Sequence, residues 1–76
     1  MTISEYVGLR IKTWRISNRY TREEMATKVK VSYNTLDNIE RGRHRLSLDT
    51  YLNICEFMGV GITALLPDDW KQIRKG

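Results

Sequence analysis

The 76-residue sequence has one cysteine, one proline and one histidine, and no apolar run near the roughly 20 residues that a membrane span requires. A single cysteine closes no internal disulfide. Cys55 stands in an apolar helical pattern, with no second cysteine and no histidine at ligand spacing, so neither a disulfide scaffold nor a zinc site is expected. Its expected role is a small core hydrophobe. His44 lies alone on a basic loop without a nearby serine or cysteine to make a nucleophile and base, and no glycine-rich phosphate loop is present. An enzyme is therefore the weakest reading, and no cofactor or metal is expected. The start, "MTISEYVGLRIKTW", has no apolar stretch long enough for a signal peptide. The expectation is a soluble cytoplasmic chain with no membrane partner.

What is present is charge, and its placement says more than its total. Between Arg10 and Arg45 stand ten basic residues and four acidic ones, a net +6 that leaves −2 for the remainder of a chain carrying +4. A positive middle suits a polyanion on one side, although a merely solvated basic surface has the same balance. Size allows one small domain with a single core, near the lower limit for folding without disulfides or metal. No strand pattern, low-complexity segment or internal repeat competes with helices.

Helix starts recur along the chain. In "YTREEM", Thr21 is an N-cap with Glu24 three residues on, a capping box, and Tyr20 and Met25 take the staple positions. "VSYNTL" repeats the arrangement with Ser32 between Val31 and Leu36, and "LSLDTY" with Ser47 between Leu46 and Tyr51. Helix 1 is read from Ile3, Val7, Ile11 and Trp14, beginning near Thr2 or Ser4 and ending near Asn18. Gly42 and Gly59 follow apolar-periodic segments where a left-handed residue would end a helix. Helix 4 then spans 48 to 58, with Leu48, Leu52, Cys55 and Met58 as its apolar stripe. A fifth short helix is expected from Ile62 to Leu66, ahead of Pro67. The fold class is thus all-α, five helices, with helices 2 and 3 joined by about three residues as a helix-turn-helix. Residues 1–66 form the domain and residues 67–76 a C-terminal tail that can contribute to dimerisation.

Helix 3 carries the functional signal. Leu36 and Ile39 share one face and point inward with Val31, which leaves Tyr33, Asn34, Asp37, Asn38 and Arg41 outward. Asparagine and tyrosine are poor helix formers, so solubility alone does not account for them. Asparagine matches the N6 and N7 edge of adenine in the major groove, and tyrosine can bond a base or phosphate or press on a thymine methyl. Arg41, Arg43 and Arg45 would reach phosphates. In the alternative reading Asn34 satisfies local backbone, Asp37 pairs with Arg41, and the loop arginines are solvated.

From about Val7 to Leu66 the chain resembles the lambda-repressor-like, Cro-type helix-turn-helix regulators, the XRE family. The resemblance rests on the arginine of helix 1 in "IKTWRISN", the cap with acidic pair and "MA" in "TREEMA", "VS" before helix 3, "IERG", and "MGV" after helix 4. It implies a compact lambda-repressor-like fold and an ion pair between Arg15 and Glu40. It also implies base reading by Tyr33, Asn34 and Asn38, and backbone contact by Arg22. Ser32, the cap of helix 3, is counted with the phosphate contacts. Asp37 could accept from cytosine N4 or repel phosphate. Glycine is frequent in the family where this chain has Arg19 and Lys30, each at a helix end, and Leu46 replaces a frequent proline.

One unit reading four or five base pairs is too weak to select a site in a genome, since each correct pair contributes only about 1–3 kcal/mol. A homodimer on an inverted-repeat operator in double-stranded DNA is expected. Its interface candidates are Ile62, Leu65, Leu66 and Trp70. The competing reading is an antitoxin or adaptor that uses the same fold mainly to hold a regulatory protein partner.

Overall fold

A computed structural model describes residues 1–43 and 45–70. Among these the chain forms four α-helices: α1 (Ile3–Ser17), α2 (Arg22–Lys28), α3 (Tyr33–Glu40) and α4 (Leu48–Met58). None is long and apolar enough to cross a membrane.

Local chemistry explains where each helix starts. Thr2 and Thr21 each accept from the backbone N–H three residues on, at 3.1 and 3.0 Å, while Glu5 and Glu24 accept from the cap N–H at 2.8 Å in both cases. Two orphan donors are satisfied at each end. Those bonds hold both carboxyls below their ordinary range, backbone donor first. Ser32 and Ser47 cap α3 and α4 by accepting from Thr35 and Thr50 N–H at 3.0 and 3.2 Å.

The four helices also end alike. Arg19, Lys30, Gly42 and Gly59 lie at φ 62°, 65°, 73° and 71°, and the residue after each donates back to the last turn. Asn18 stays at φ −97°, so the left-handed turn after α1 falls on Arg19 itself. A side chain in this conformation costs about 1–2 kcal/mol relative to right-handed backbone. Lys30→Gly is therefore expected to raise the unfolding free energy by about 1 kcal/mol, a gain of several degrees in thermal midpoint. A lower midpoint would mean that the exposed Lys30 side chain contributes more than its backbone costs.

The core collects Val7 and Ile11 from α1, Met25, Ala26 and Val29 from the α2 segment, Leu36 and Ile39 from α3, Ile54, Cys55 and Met58 from α4, and Leu65. Burial pushes the Cys55 thiol up, which keeps it protonated and inert. Trp14 stacks on Tyr20, centroids 5.9 Å apart, and Phe57 meets both edge-on, joining the end of α1 to α4.

The structure corrects two expectations. The buried stripe of α4 is Ile54, Cys55 and Met58 with half-buried Tyr51 beside it, whereas Leu48 is 71% and Leu52 42% exposed. Tyr51 packs against the core and its hydroxyl donates to the Ile62 carbonyl, with burial pushing the phenol up to about 12. The expected fifth helix is also absent. Ile62 to Leu66 forms successive turns, with Ala64 N–H donating to Gly61 O and Leu66 N–H to Thr63 O, each at 3.1 Å. A five-residue segment between Gly61 and Pro67 cannot offset helix nucleation, and Ile62 and Thr63 are β-branched. Arg10 helps to hold the turns in place by donating to the Ala64 carbonyl at 3.3 Å.

Candidate nucleic-acid interface

Helix α3 packs on α1 and α2. At its N-terminal end, Val31 and Leu36 secure it, and Leu36 is fully buried. At its C-terminal end it meets α1 almost backbone to backbone. A Cβ built on Gly8 would lie 2.2 Å from Ile39 O and 2.8 Å from Glu40 O. A Cβ built on Gly42, just beyond, would lie 2.6 Å from Glu5 Cγ and 2.7 Å from Glu5 Cα. These contacts set the height and tilt of α3, and so which side chains stand clear.

The same end carries a buried charge cluster. Glu40, with its side chain 1% exposed, accepts from Arg15 Nε at 2.7 Å and Nη2 at 3.1 Å, a bidentate pair. Arg15 Nη1 donates to the Tyr20 carbonyl at 3.0 Å, tying the turn before α2 to the same group. A second guanidinium joins it: Arg22 Nε donates to Glu40 Oε1 at 3.0 Å. Arg22 Nη1 also donates to the Tyr33 hydroxyl at 3.1 Å, and the guanidinium lies 5.6 Å from the Tyr33 ring centroid. These bonds, Tyr33 first and Glu40 next, raise the Arg22 guanidinium above its ordinary value.

Helix α3 presents Tyr33, Asn34, Asp37 and Asn38 together, with Tyr33 48% exposed, Asn34 exposed, and Asp37 and Asn38 half-buried. Asp37 accepts from Arg41 Nε at 3.0 Å and lies 3.7 Å from Arg22 Nε. The Arg41 bond holds its carboxyl below the usual carboxylate range. This i,i+4 pair is the alternative weighed above for Asp37. The asparagines differ: among the described residues neither the Asn34 nor the Asn38 side-chain amide makes a hydrogen bond.

Other candidate positions are scattered by their local roles. Ser32 donates its hydroxyl proton to Thr35 Oγ1 at 2.9 Å while capping α3, so a side-chain phosphate bond would require breaking that link. Arg43 and Arg45 are exposed beside the end of α3. His44 lies outside the described residues. Among the interface candidates, Ile62 is 60% and Trp70 38% exposed, and Leu66 is half-buried. Leu65 is 2% exposed and belongs to the core cluster. Among the described residues no group of three or more His, Cys, Asp or Glu could hold a metal ion.

Sequence reasoning missed Gly8 and the Arg22 bridge. Gly8 interrupts a helix that otherwise favours side chains, a local cost of about 1 kcal/mol that signals a packing reason. No spacing signal connects Arg22 to Glu40, which lie 18 residues apart.

A helix-turn-helix family model matches residues 11–65, most of the chain. The protein belongs to the XRE family of helix-turn-helix DNA-binding regulators. No curated protein matches this XRE-family chain. Among solved structures it is similar to the clp gene regulator ClgR from C. glutamicum, at 25% identity and TM-score 0.76, covering 86% of this chain and 84% of that one. It is also similar to SinR, the master regulator for biofilm formation, solved in complex with DNA, at 28% identity and TM-score 0.71, covering 78% and 95%. The restriction-modification controller protein C.AhdI from Aeromonas hydrophila shares the fold at 19% identity and TM-score 0.76, covering 82% and 94%.

Proposed function

We propose that this XRE-family chain is a sequence-specific transcriptional regulator, a dimeric repressor that lays α3 in the major groove of an inverted-repeat operator. One observation carries the reading. Among the described residues the side-chain amides of Asn34 and Asn38 make no hydrogen bond, and the neighbouring Asp37 is already paired with Arg41. An unpaired amide presents a donor and an acceptor side by side, the pattern that adenine completes. Arg43 and Arg45 supply phosphate contacts at the end of α3, and Arg41 joins them if it exchanges Asp37 for phosphate. SinR in complex with DNA supports the choice of ligand.

Dimerisation is proposed through Ile62, Leu66 and Trp70, with residues 67–76 extending the contact beyond the 1–66 domain. Leu48 belongs with them: it lines a groove of about 340 Å³ together with Ile3, Leu46, Tyr51 and Leu66. Two copies would set their α3 helices about 34 Å apart, one turn of DNA.

Selection from a random duplex pool at near-physiological salt tests the reading. The expected result is an inverted repeat bound about 10³-fold or more above scrambled DNA. Asn34→Ala and Asn38→Ala should each cost about 1–3 kcal/mol on that site, confined to one base pair per half-site. Arg43→Ala should instead weaken all sequences alike and reduce the salt slope by about one. Sequence-blind binding would favour the second reading, an adaptor or antitoxin built on the same fold. A SinR–SinI protein complex among the similar structures supports keeping that reading.

A further inference from the structure

We infer that Arg22 is a positioning residue that makes the Tyr33 hydroxyl a hydrogen-bond donor to the base edge, so that Tyr33 selects an acceptor and rejects the cytosine amino group. This rests on the reading of α3 as the base-reading helix. The resemblance alone would assign Arg22 to the DNA backbone, but its side chain is only 21% exposed and two of its donors are engaged within the protein. Nε is held by Glu40, a buried carboxylate that Arg15 fixes from the other side. With Nε anchored, the planar fork has little freedom, and Nη1 points at the Tyr33 oxygen.

The consequence follows from hydrogen-bond inventory. A phenol has one proton, and an arginine has no acceptor. Because the Tyr33 oxygen accepts from Arg22, its own proton must point elsewhere, and the ring is 48% exposed on the outer face of α3. The positive guanidinium also polarises the O–H and strengthens it as a donor. In the major groove the matching acceptors are purine N7, guanine O6 and thymine O4, whereas cytosine N4 is a donor and meets the hydroxyl unfavourably. Lysine could keep the charge but not the two directed bonds.

The test compares wild type, Arg22→Lys, Arg22→Gln, Tyr33→Phe and Arg22→Gln with Tyr33→Phe. Each is titrated against the selected operator, against each base pair at the position Tyr33→Phe affects, and against 7-deazapurine there. Thermal unfolding of every variant checks that it is folded, and Tyr33→Phe removes a hydroxyl that accepts from Arg22 Nη1 at 3.1 Å. Wild type should prefer an acceptor over cytosine at that position by roughly tenfold or more. Both Arg22 variants should lose that preference, the double variant should lose no more than Tyr33→Phe alone, and the salt slope should stay unchanged for Arg22→Lys. If wild type selects a site but Arg22→Gln keeps its preference and lowers the salt slope by about one, Arg22 is a phosphate ligand and the inference is wrong. A loss equal on all sequences with Arg22→Lys active would overturn it too, as a purely structural role. If wild type selects no site, the DNA reading itself fails and this inference falls with it, a distinguishable result.

Discussion

Glu40→Ala is expected to lower the unfolding free energy by about 3–5 kcal/mol, the cost of breaking a buried ion pair from one side. For a domain of this size, whose total stability lies near the lower end of about 5–15 kcal/mol, that is enough to leave a large unfolded fraction. The reason is geometric. Glu40 lies buried between two guanidiniums, bonded to Arg15 at 2.7 Å and to Arg22 at 3.0 Å. Its loss would leave Arg15, whose side chain is 8% exposed, charged and without its bidentate acceptor. Urea unfolding of wild type, Glu40→Ala, Glu40→Gln and the double variant Arg15→Met with Glu40→Leu would measure it. Glu40→Gln should be nearly as damaging, since the neutral amide removes the counter-charge and turns an NH2 donor toward a guanidinium where Glu40 Oε2 now accepts from Arg15 Nε at 2.7 Å. The double variant should recover much of the loss, because replacing both partners by apolar groups avoids the uncompensated charge. A change below about 1 kcal/mol for Glu40→Ala would place the cluster in the class of solvated surface pairs and overturn this account.

Gly8→Ala is expected to be comparably destabilising, on the order of 3 kcal/mol, although alanine is the better helix former. Propensity alone predicts the opposite sign, a gain of up to about 1 kcal/mol. The added Cβ would stand 2.2 Å from Ile39 O and 2.8 Å from Glu40 O, both backbone atoms that no rotamer change can move. Helix α1 must therefore lift from the end of α3, and that lift pulls Arg15 away from Glu40. The loss should appear in thermal unfolding as a drop of about 10 °C or more, accompanied by weaker operator binding as α3 shifts. Gly61→Ala is the control, because nothing lies within 4 Å of its added Cβ. An unchanged midpoint for Gly8→Ala would mean that α1 and α3 slide past each other at little cost.

Both predictions concern the end of α3, where the fold and the proposed site share atoms. One of the two carbonyls that exclude a side chain at position 8 belongs to Glu40, whose carboxylate aligns Arg22, which in turn holds Tyr33. Stability and the proposed base reading are thus coupled through one residue. That coupling is why affinity measurements on Arg22 variants need unfolding curves beside them, whereas variants of Asn34 and Asn38, whose side-chain amides make no hydrogen bond among the described residues, do not carry the same ambiguity.

Much of this molecule was legible from residues a few positions apart. The caps Thr21, Ser32 and Ser47 mark three helix starts, and Thr2 was one of two positions expected for the first. Gly42 and Gly59 mark left-handed ends, and the departures at Arg19 and Lys30 fall on the two other left-handed turns. Such features depend on hydrogen bonds spanning three to five residues, so the local chain contains all the atoms that decide them. The outward set of α3 was equally readable, because Leu36 and Ile39 fix the buried side and the helical period assigns the rest.

Tertiary contacts decided the remainder. Helix α4 offers two overlapping apolar stripes through Cys55 and Met58, and the packed core takes the one that carries Ile54, with Tyr51 and Phe57 against it. The segment from Ile62 to Leu66 has apolar residues enough for a helical turn but is held in tighter turns by Arg10, 54 residues away from Ala64 in the chain. Gly8 and Arg22 acquire their roles from α3, which approaches them only after folding. The sequence alone determined what could be settled within one turn of backbone; which face is buried, how closely two helices approach and which arginine meets which carboxylate depended on partners brought together by the fold, because those free energies reside in contacts that do not exist until the chain is packed.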